Sequence, residues 1–452
     1  MSSSVSQLIV VALMLLAGLP VFAADQPKVR EKISWEQYLK NSAASRESID
    51  LFLSGPSWGQ FDPEVGYTQR NYLDVGDGID HSAALYSFQA NGARTSFMYA
   101  DRTPRINTYG DSFTESEQGS DGETWQEYLA GHLGEPIRNF GIGGYGVYQA
   151  FRLMEREEQT DHGAKYVILY ICCDDATRSL LRARYASIYA WFSDQGGRRF
   201  HGNFTSHVEM DLETGRFVEK EQLLSTKESL YHMTEPQWML DNLKDDLALH
   251  LDAYAMGYIR DLDREKITQL AAKLDFPFDW SLESQTATVA SSHPERVPPR
   301  TAMQVQAAAL LNRYGQRATL FILDKAREFA RQHNKKLLIV LNQTTDMGRS
   351  GPRDDQEILD YLVKQKFDYF DMNAISLREY QNAKTALSYG DYEKQYQVNG
   401  FGHYNPLGNH HFAYSIKDTI VKWLDPKPIP YQQPDAQAVN FEGYLHGGVY
   451  HL

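Results

Sequence analysis

The chain has 452 residues and a formal net charge of −14, an excess of acid that argues against nucleic acid or an anionic membrane surface as the main partner. With 42% hydrophobic and 12% aromatic residues, it carries enough apolar material for one large or two ordinary globular domains. Its two cysteines, Cys172 and Cys173, are adjacent, which excludes loop-closing disulfides and supplies too few ligands for a metal centre. They read as buried thiols, with a vicinal disulfide as the strained alternative.

In chain order, Leu8 to Val21 is an apolar run too short to span a bilayer comfortably, and Val21-Phe22-Ala23 ends it with small residues spaced for signal cleavage. Residues 1–23 are therefore expected to be a signal peptide, giving an exported, periplasmic or extracellular protein with no stable membrane insertion after cleavage. No Lys or Arg precedes the apolar run, so a retained anchor is the alternative. Residues 24–100 are expected to form an accessory, β-containing layer. Within it Trp35 to Leu53 is helix-prone, and Leu85–Ala90 and Ala93–Tyr99 flank Asn91-Gly92, a strong hairpin signal.

From Arg105 strand and helix alternate. Arg105–Thr108, Ile137–Phe140, Tyr166–Ile171, Lys336–Leu341 and Phe367–Asp371 read as strands. Trp125–Leu133, Tyr148–Glu158, Ala318–His333, Asp355–Lys364 and Pro406–Leu424 read as helices. Five strands separated by crossovers imply a parallel, doubly wound α/β sheet, carried by residues 101–190 and 301–425. The intervening 191–300 breaks the rhythm with a hairpin, Val208–Leu212 and Arg216–Glu219, and a polar helical stretch, Asp241–Leu274. It reads as an insertion, either a lid beside the crevice or helical padding. Residues 426–452 read as coil.

Three stretches carry candidate chemistry. Gly110-Asp111-Ser112-Phe113 puts a hydroxyl at the carboxyl end of the first strand, where open α/β sheets keep their crevice; a helix cap is the structural alternative. Asn139-Phe140-Gly141-Ile142-Gly143-Gly144-Tyr145-Gly146 offers unobstructed backbone amides suited to an anion. Its spacing is not that of a dinucleotide fingerprint. Gly402-His403-Tyr404-Asn405-Pro406 leaves His403 on a loop before a helix that starts at Pro406, a suitable place for a general base. His410 and His411 fall inside that helix as packing or surface residues, and Tyr145 and Tyr148 are candidates for lining a sugar or acyl pocket.

In this order the motifs resemble the SGNH/GDSL hydrolase family over about Arg105 to Leu424. The resemblance implies a three-layer α/β/α sandwich with a five-stranded, flavodoxin-like parallel sheet. It makes Ser112 the nucleophile and an oxyanion donor through its own amide, Gly144 a second donor, and His403 the base. Two positions depart from the family. Asp174 stands where the family's third block has an oxyanion Asn, so it must be protonated, turned away or paired, with Arg178 near. Gly400 and Phe401 stand where the family has an Asp before the histidine, so a backbone carbonyl, Asn399 or a distant carboxylate must orient His403, or the site is a dyad. The implied function is an exported serine esterase acting on short acyl or acetyl esters, including those of carbohydrate, with no metal or organic cofactor. The alternatives are an O-acyltransferase on extracellular polysaccharide and a catalytically impaired carbohydrate-binding protein of the same fold.

Overall fold

The computed structural model describes residues 32–432 except 56, 77, 193–202, 286, 287, 290–299, 343–352 and 399–401. The expected signal peptide, most of the C-terminal coil, and Asn399, Gly400 and Phe401 lie outside the described residues. Five strands form one sheet: β1 (Ile106–Gly110), β2 (Arg138–Gly141), β3 (Tyr166–Cys172), β4 (Lys336–Asn342) and β5 (Asp368–Asp371). Their spatial order is β2-β1-β3-β4-β5 and every pairing is parallel. The chain therefore has an α/β fold with an all-parallel sheet, consistent with a three-layer arrangement.

The alternation of side chains along a strand explains why β3 is apolar throughout. Val167, Leu169 and Ile171 join one hydrophobic cluster while Ile168, Tyr170 and Cys172 join the other, so both faces of the sheet are covered. On one face the helices Trp125–Leu133 and Pro406–Trp423 pack, with Trp125 edge-on to Phe412 at 4.9 Å between ring centroids. On the other lie Val147–Glu157 and the 31-residue helix Ala302–Gln332. That long helix starts well before the expected Ala318, because Thr301 and Gln304 form a capping box at its N-terminus. It passes close beneath the turn after β3: a Cβ on Gly315 would lie 2.8 Å from the Ala176 carbonyl carbon.

Two other expectations change. The strand Ala84–Tyr86 pairs antiparallel with Tyr72–Asp74 rather than with residues after Asn91-Gly92. A tight turn does form there, with Gly92 at φ 81° and a bridge between Phe88 and Arg94. Arg94 then leaves the hairpin to bridge Asn139 at the edge of the central sheet. In the insertion the hairpin forms as His207–Asp211 against Arg216–Lys220. The expected long helix is three shorter ones, Pro236–Leu243, Leu247–Ala255 and Arg264–Lys273, separated where Asp246 and Asp263 cap new helix starts. Among the described residues no helix is long and apolar enough to cross a membrane.

Candidate active site

Strand order reverses between β1 and β3, so the crevice of this sheet lies at the carboxyl ends of those two strands. Ser112 stands there. Gly110 makes the bend possible, since a Cβ would fall 2.1 Å from Thr114 Oγ1 and 3.0 Å from Tyr170. Asp111 caps the short helix Ser112–Glu115 by accepting from the Phe113 amide at 3.0 Å. The end of β2 presses against that helix; a Cβ on Gly141 would lie 2.2 Å from the Glu115 amide nitrogen. Glycine is therefore required at both positions by close backbone approach, and Ser112 is left 6% exposed at the crevice.

His403 lies 291 residues away in sequence and reaches Ser112 Oγ with Nε2 at 2.8 Å. Its ring is edge-on to Phe113. The other nitrogen, Nδ1, is 3.1 Å from Gln118 Oε1. An amide oxygen only accepts, so Nδ1 is the protonated nitrogen and Nε2 the one that accepts from the Ser112 hydroxyl. Thus, among the described residues, Gln118, six positions after the serine, accepts from Nδ1; Asn399 lies outside them.

The loop carrying Gln118 is strained and held from behind. Ser116 and Gln118 have φ of 62° and 70°, a conformation that costs a non-glycine residue on the order of 1 kcal/mol. Arg94, 1% exposed, compensates with a set of bonds to that loop. It donates to the carbonyls of Glu115 (2.6 Å), Ser116 (3.1 Å) and Gly119 (2.5 Å) and pairs through Nε with Asp121 at 3.0 Å. The Gln118 amide donates to Tyr86 Oη at 2.5 Å. The N-terminal layer is thereby part of the site's frame.

Acids crowd this region, and each is managed differently. Glu115 is fully buried and accepts from Gln69 Nε2 and from the Gly143 amide, both at 2.6 Å. Burial, reinforced by the charge of Glu117, pushes its carboxyl up to about 8. Gln69 Oε1 beside it is a buried acceptor without a hydrogen bond; turning that amide over lets it accept the proton of a neutral Glu115. Asp111 and Asp175 are both buried and both raised, Asp175 well above its ordinary value. Burial is the main cause for each, with the Asp111 charge adding to it at Asp175 and Arg178 opposing it at both.

Asp174, at the turn after β3, is paired with Arg178 at 2.5 Å, its side chain 59% exposed. Burial of its surroundings disfavours the charge, but Arg178 and then Arg184 outweigh that and hold Asp174 below the usual carboxylate range. Arg178 also donates to Asp175 Oδ1 at 3.0 Å. In the glycine loop Gly144 has φ 85° and its carbonyl accepts from Arg184. The Gly143 amide is taken by Glu115, whereas the Gly144 amide donates no hydrogen bond among the described residues. Of the two, Gly144 is the available donor.

Two further expectations are corrected here. Tyr145 and Tyr148 are both 0% exposed, packed in the core rather than at an open surface; Tyr145 Oη is used on the Tyr67 carbonyl and Tyr148 Oη on Glu219. The sulfurs of Cys172 and Cys173 are joined as a vicinal disulfide, and the chain turns sharply at Cys173, φ 50°, which leaves that residue exposed. Asn139, the first residue of the glycine stretch, spends its side chain on the Gly141 amide and the Glu115 carbonyl.

The chain matches no protein-family model and no curated protein. The site therefore stands on its geometry alone.

Proposed function

We propose that this protein is a serine acyl-ester hydrolase of SGNH type, exported by the segment 1–23. The observation that supports it most is His403 bridging Ser112 Oγ and Gln118 Oε1 at 2.8 Å and 3.1 Å. In the first half-reaction Ser112 Oγ forms a bond to the ester carbonyl carbon as its proton passes to His403 Nε2. The tetrahedral oxyanion faces the amides of Ser112 and Gly144. Collapse breaks the bond to the alcohol oxygen, which takes the proton from Nε2 and leaves. Water then adds to the acyl-serine by the same route in reverse, and a carboxylic acid departs.

Short acyl groups, acetyl among them, on a carbohydrate alcohol are the proposed substrates. The test is hydrolysis of p-nitrophenyl acetate by the mature protein beside Ser112→Ala and His403→Ala, together with labelling by a fluorophosphonate. Wild type is expected to turn over and to be labelled on Ser112, with each variant losing about 10⁴-fold or more in kcat. A wild-type protein that neither hydrolyses the ester nor takes the label would sink the reading and leave a binding protein of the same fold.

A further inference from the structure

In a Ser-His-Asp triad one carboxylate does two things: it accepts from Nδ1, fixing tautomer and orientation, and it balances the positive charge that forms on the imidazole. Gln118 can do only the first, because its amide is neutral. A carboxylate does stand at the ring, on the other side. Glu117 Oε2 is 3.8 Å from His403 Nε2, with the Glu117 side chain 29% exposed. The same oxygen lies against the glycine loop, 2.8 Å from where a Cβ on Gly143 would be. Glu117 and Gln118 are consecutive residues of the loop that Arg94 grips at 115, 116 and 119.

We propose that these neighbours divide the work of a triad carboxylate: Gln118 is the positioning residue for His403, and Glu117 balances the charge of the imidazolium. This rests on the reading of Ser112 and His403 as nucleophile and base. The separation of 3.8 Å puts Glu117 within the range at which an opposite charge favours the protonated ring, and partial exposure moderates the effect through solvent screening.

Among the described residues, the other groups around the site handle charge differently. Ser112, Gln118 and the Phe113 ring are neutral contacts. Asp111 is near enough for its field to reach His403, but it is buried, its carboxyl is raised, and it shares Arg178 with Asp175. Glu115 is turned to Gln69 and Gly143. Arg94 is paired with Asp121, and Asn409 of the following helix, which faces Gly119, carries no charge.

The experiment is a ¹³C-detected titration of the His403 imidazole, read by NMR in wild type, Glu117→Gln, Gln118→Ala and the exchanged pair Glu117→Gln/Gln118→Glu, with kcat on p-nitrophenyl acetate alongside. Loss of the anion should lower the His403 midpoint by about one pH unit in Glu117→Gln. Gln118→Ala should lower kcat at least about tenfold while moving the midpoint by less than half as much. Moving the carboxylate to Nδ1 in the exchanged pair should bring the midpoint back to the wild-type value or above it. A Glu117→Gln midpoint within about 0.3 units of wild type, or an exchanged pair that stays at the Glu117→Gln value, overturns the proposal. The titration is read whether or not an ester turns over, so its failure is distinct from failure of the acyl-serine reading, which the fluorophosphonate label reports.

Discussion

The turns that follow β1 and β3 sit side by side at the same end of the sheet, and both are acidic, yet they handle charge in opposite ways. After β1, Asp111 and Glu115 are enclosed and drift toward the neutral form. After β3, Asp174 stays out in solvent and ionised because Arg178 clasps it. Asp175, one residue on, behaves like the first group even though it touches the same arginine. The difference follows from burial. Where desolvation is complete, a neighbouring cation offsets only part of it; where the carboxylate is half in water, the same cation wins. An oxyanion forming between the two turns would meet little negative charge from the first and a compensated one from the second.

Removing the cation should have the largest effect. Arg178 is 13% exposed, pairs with Asp174 and Asp175 and opposes the rise of both Asp111 and Asp175, so Arg178→Ala leaves the buried pair Asp111 and Asp175 without its counter-charge. A loss of about 3–5 kcal/mol at neutral pH is expected. The sign with pH is fixed: without Arg178 the folded-state values of Asp111 and Asp175 rise further above their unfolded ones. The deficit therefore grows as pH rises and shrinks in acid as both become protonated. Urea midpoints at pH 5 and pH 7.5 measure this, and a deficit that is the same at both would show that Arg178 acts by packing alone.

Next in size is Glu115→Gln. In the wild type this carboxyl is raised from 4.5 to about 8, so its contribution is fully present below pH 4.5 and is lost as pH climbs through 8. The slope over that window approaches about 1.4 kcal/mol per unit. A glutamine can accept from Gly143 and donate to a turned Gln69, so the variant should fold normally and lack this part of the slope. At pH 8, relative to pH 5, it should gain on the order of 2 kcal/mol or more over wild type. Equal slopes in the two proteins would mean that the Glu115 site is wetter than its packing suggests.

This contrast also marks what was readable before the structure. The five strands and their order of appearance were legible, because β3 and β4 are apolar runs and a parallel sheet demands crossovers. Ser112, Gly144 and His403 were legible as motifs, and the structure brings Ser112 and His403 to hydrogen-bond distance. Gln118 was not, for a physical reason: nothing local distinguishes it from any polar loop residue. Its position depends on left-handed backbone at 116 and 118, enforced by an arginine from a hairpin over twenty residues upstream. The one clue was negative, the missing Asp at 400 and 401, which required an acceptor from elsewhere. Arg94 and Glu115 were likewise invisible, since their importance lies in being buried, and a lone Arg or Glu in sequence reads as surface.

The smallest expected effect bears most directly on catalysis. Asp174 is held ionised at the turn after β3, where the proposed hydrolase reading calls for an amide side chain in the oxyanion site. Replacing it with Asn keeps the shape, removes the charge and frees Arg178 to bind Asp175 alone. Because the side chain is 59% exposed, the stability change should stay within about 0.5 kcal/mol. If the Asp174–Arg178 pair only neutralises a residual liability, Asp174→Asn should raise kcat on a small acetate ester severalfold, up to about tenfold, with KM unchanged. If Asp174 instead accepts a hydroxyl from the alcohol part of the substrate, the small ester will not register the change, and a sugar acetate will show a raised KM at constant kcat. A fall in kcat on both esters would contradict either account. It would mean that the negative charge held by Arg178 is needed at that turn, and that the asymmetry between the two turns is itself part of how the site works.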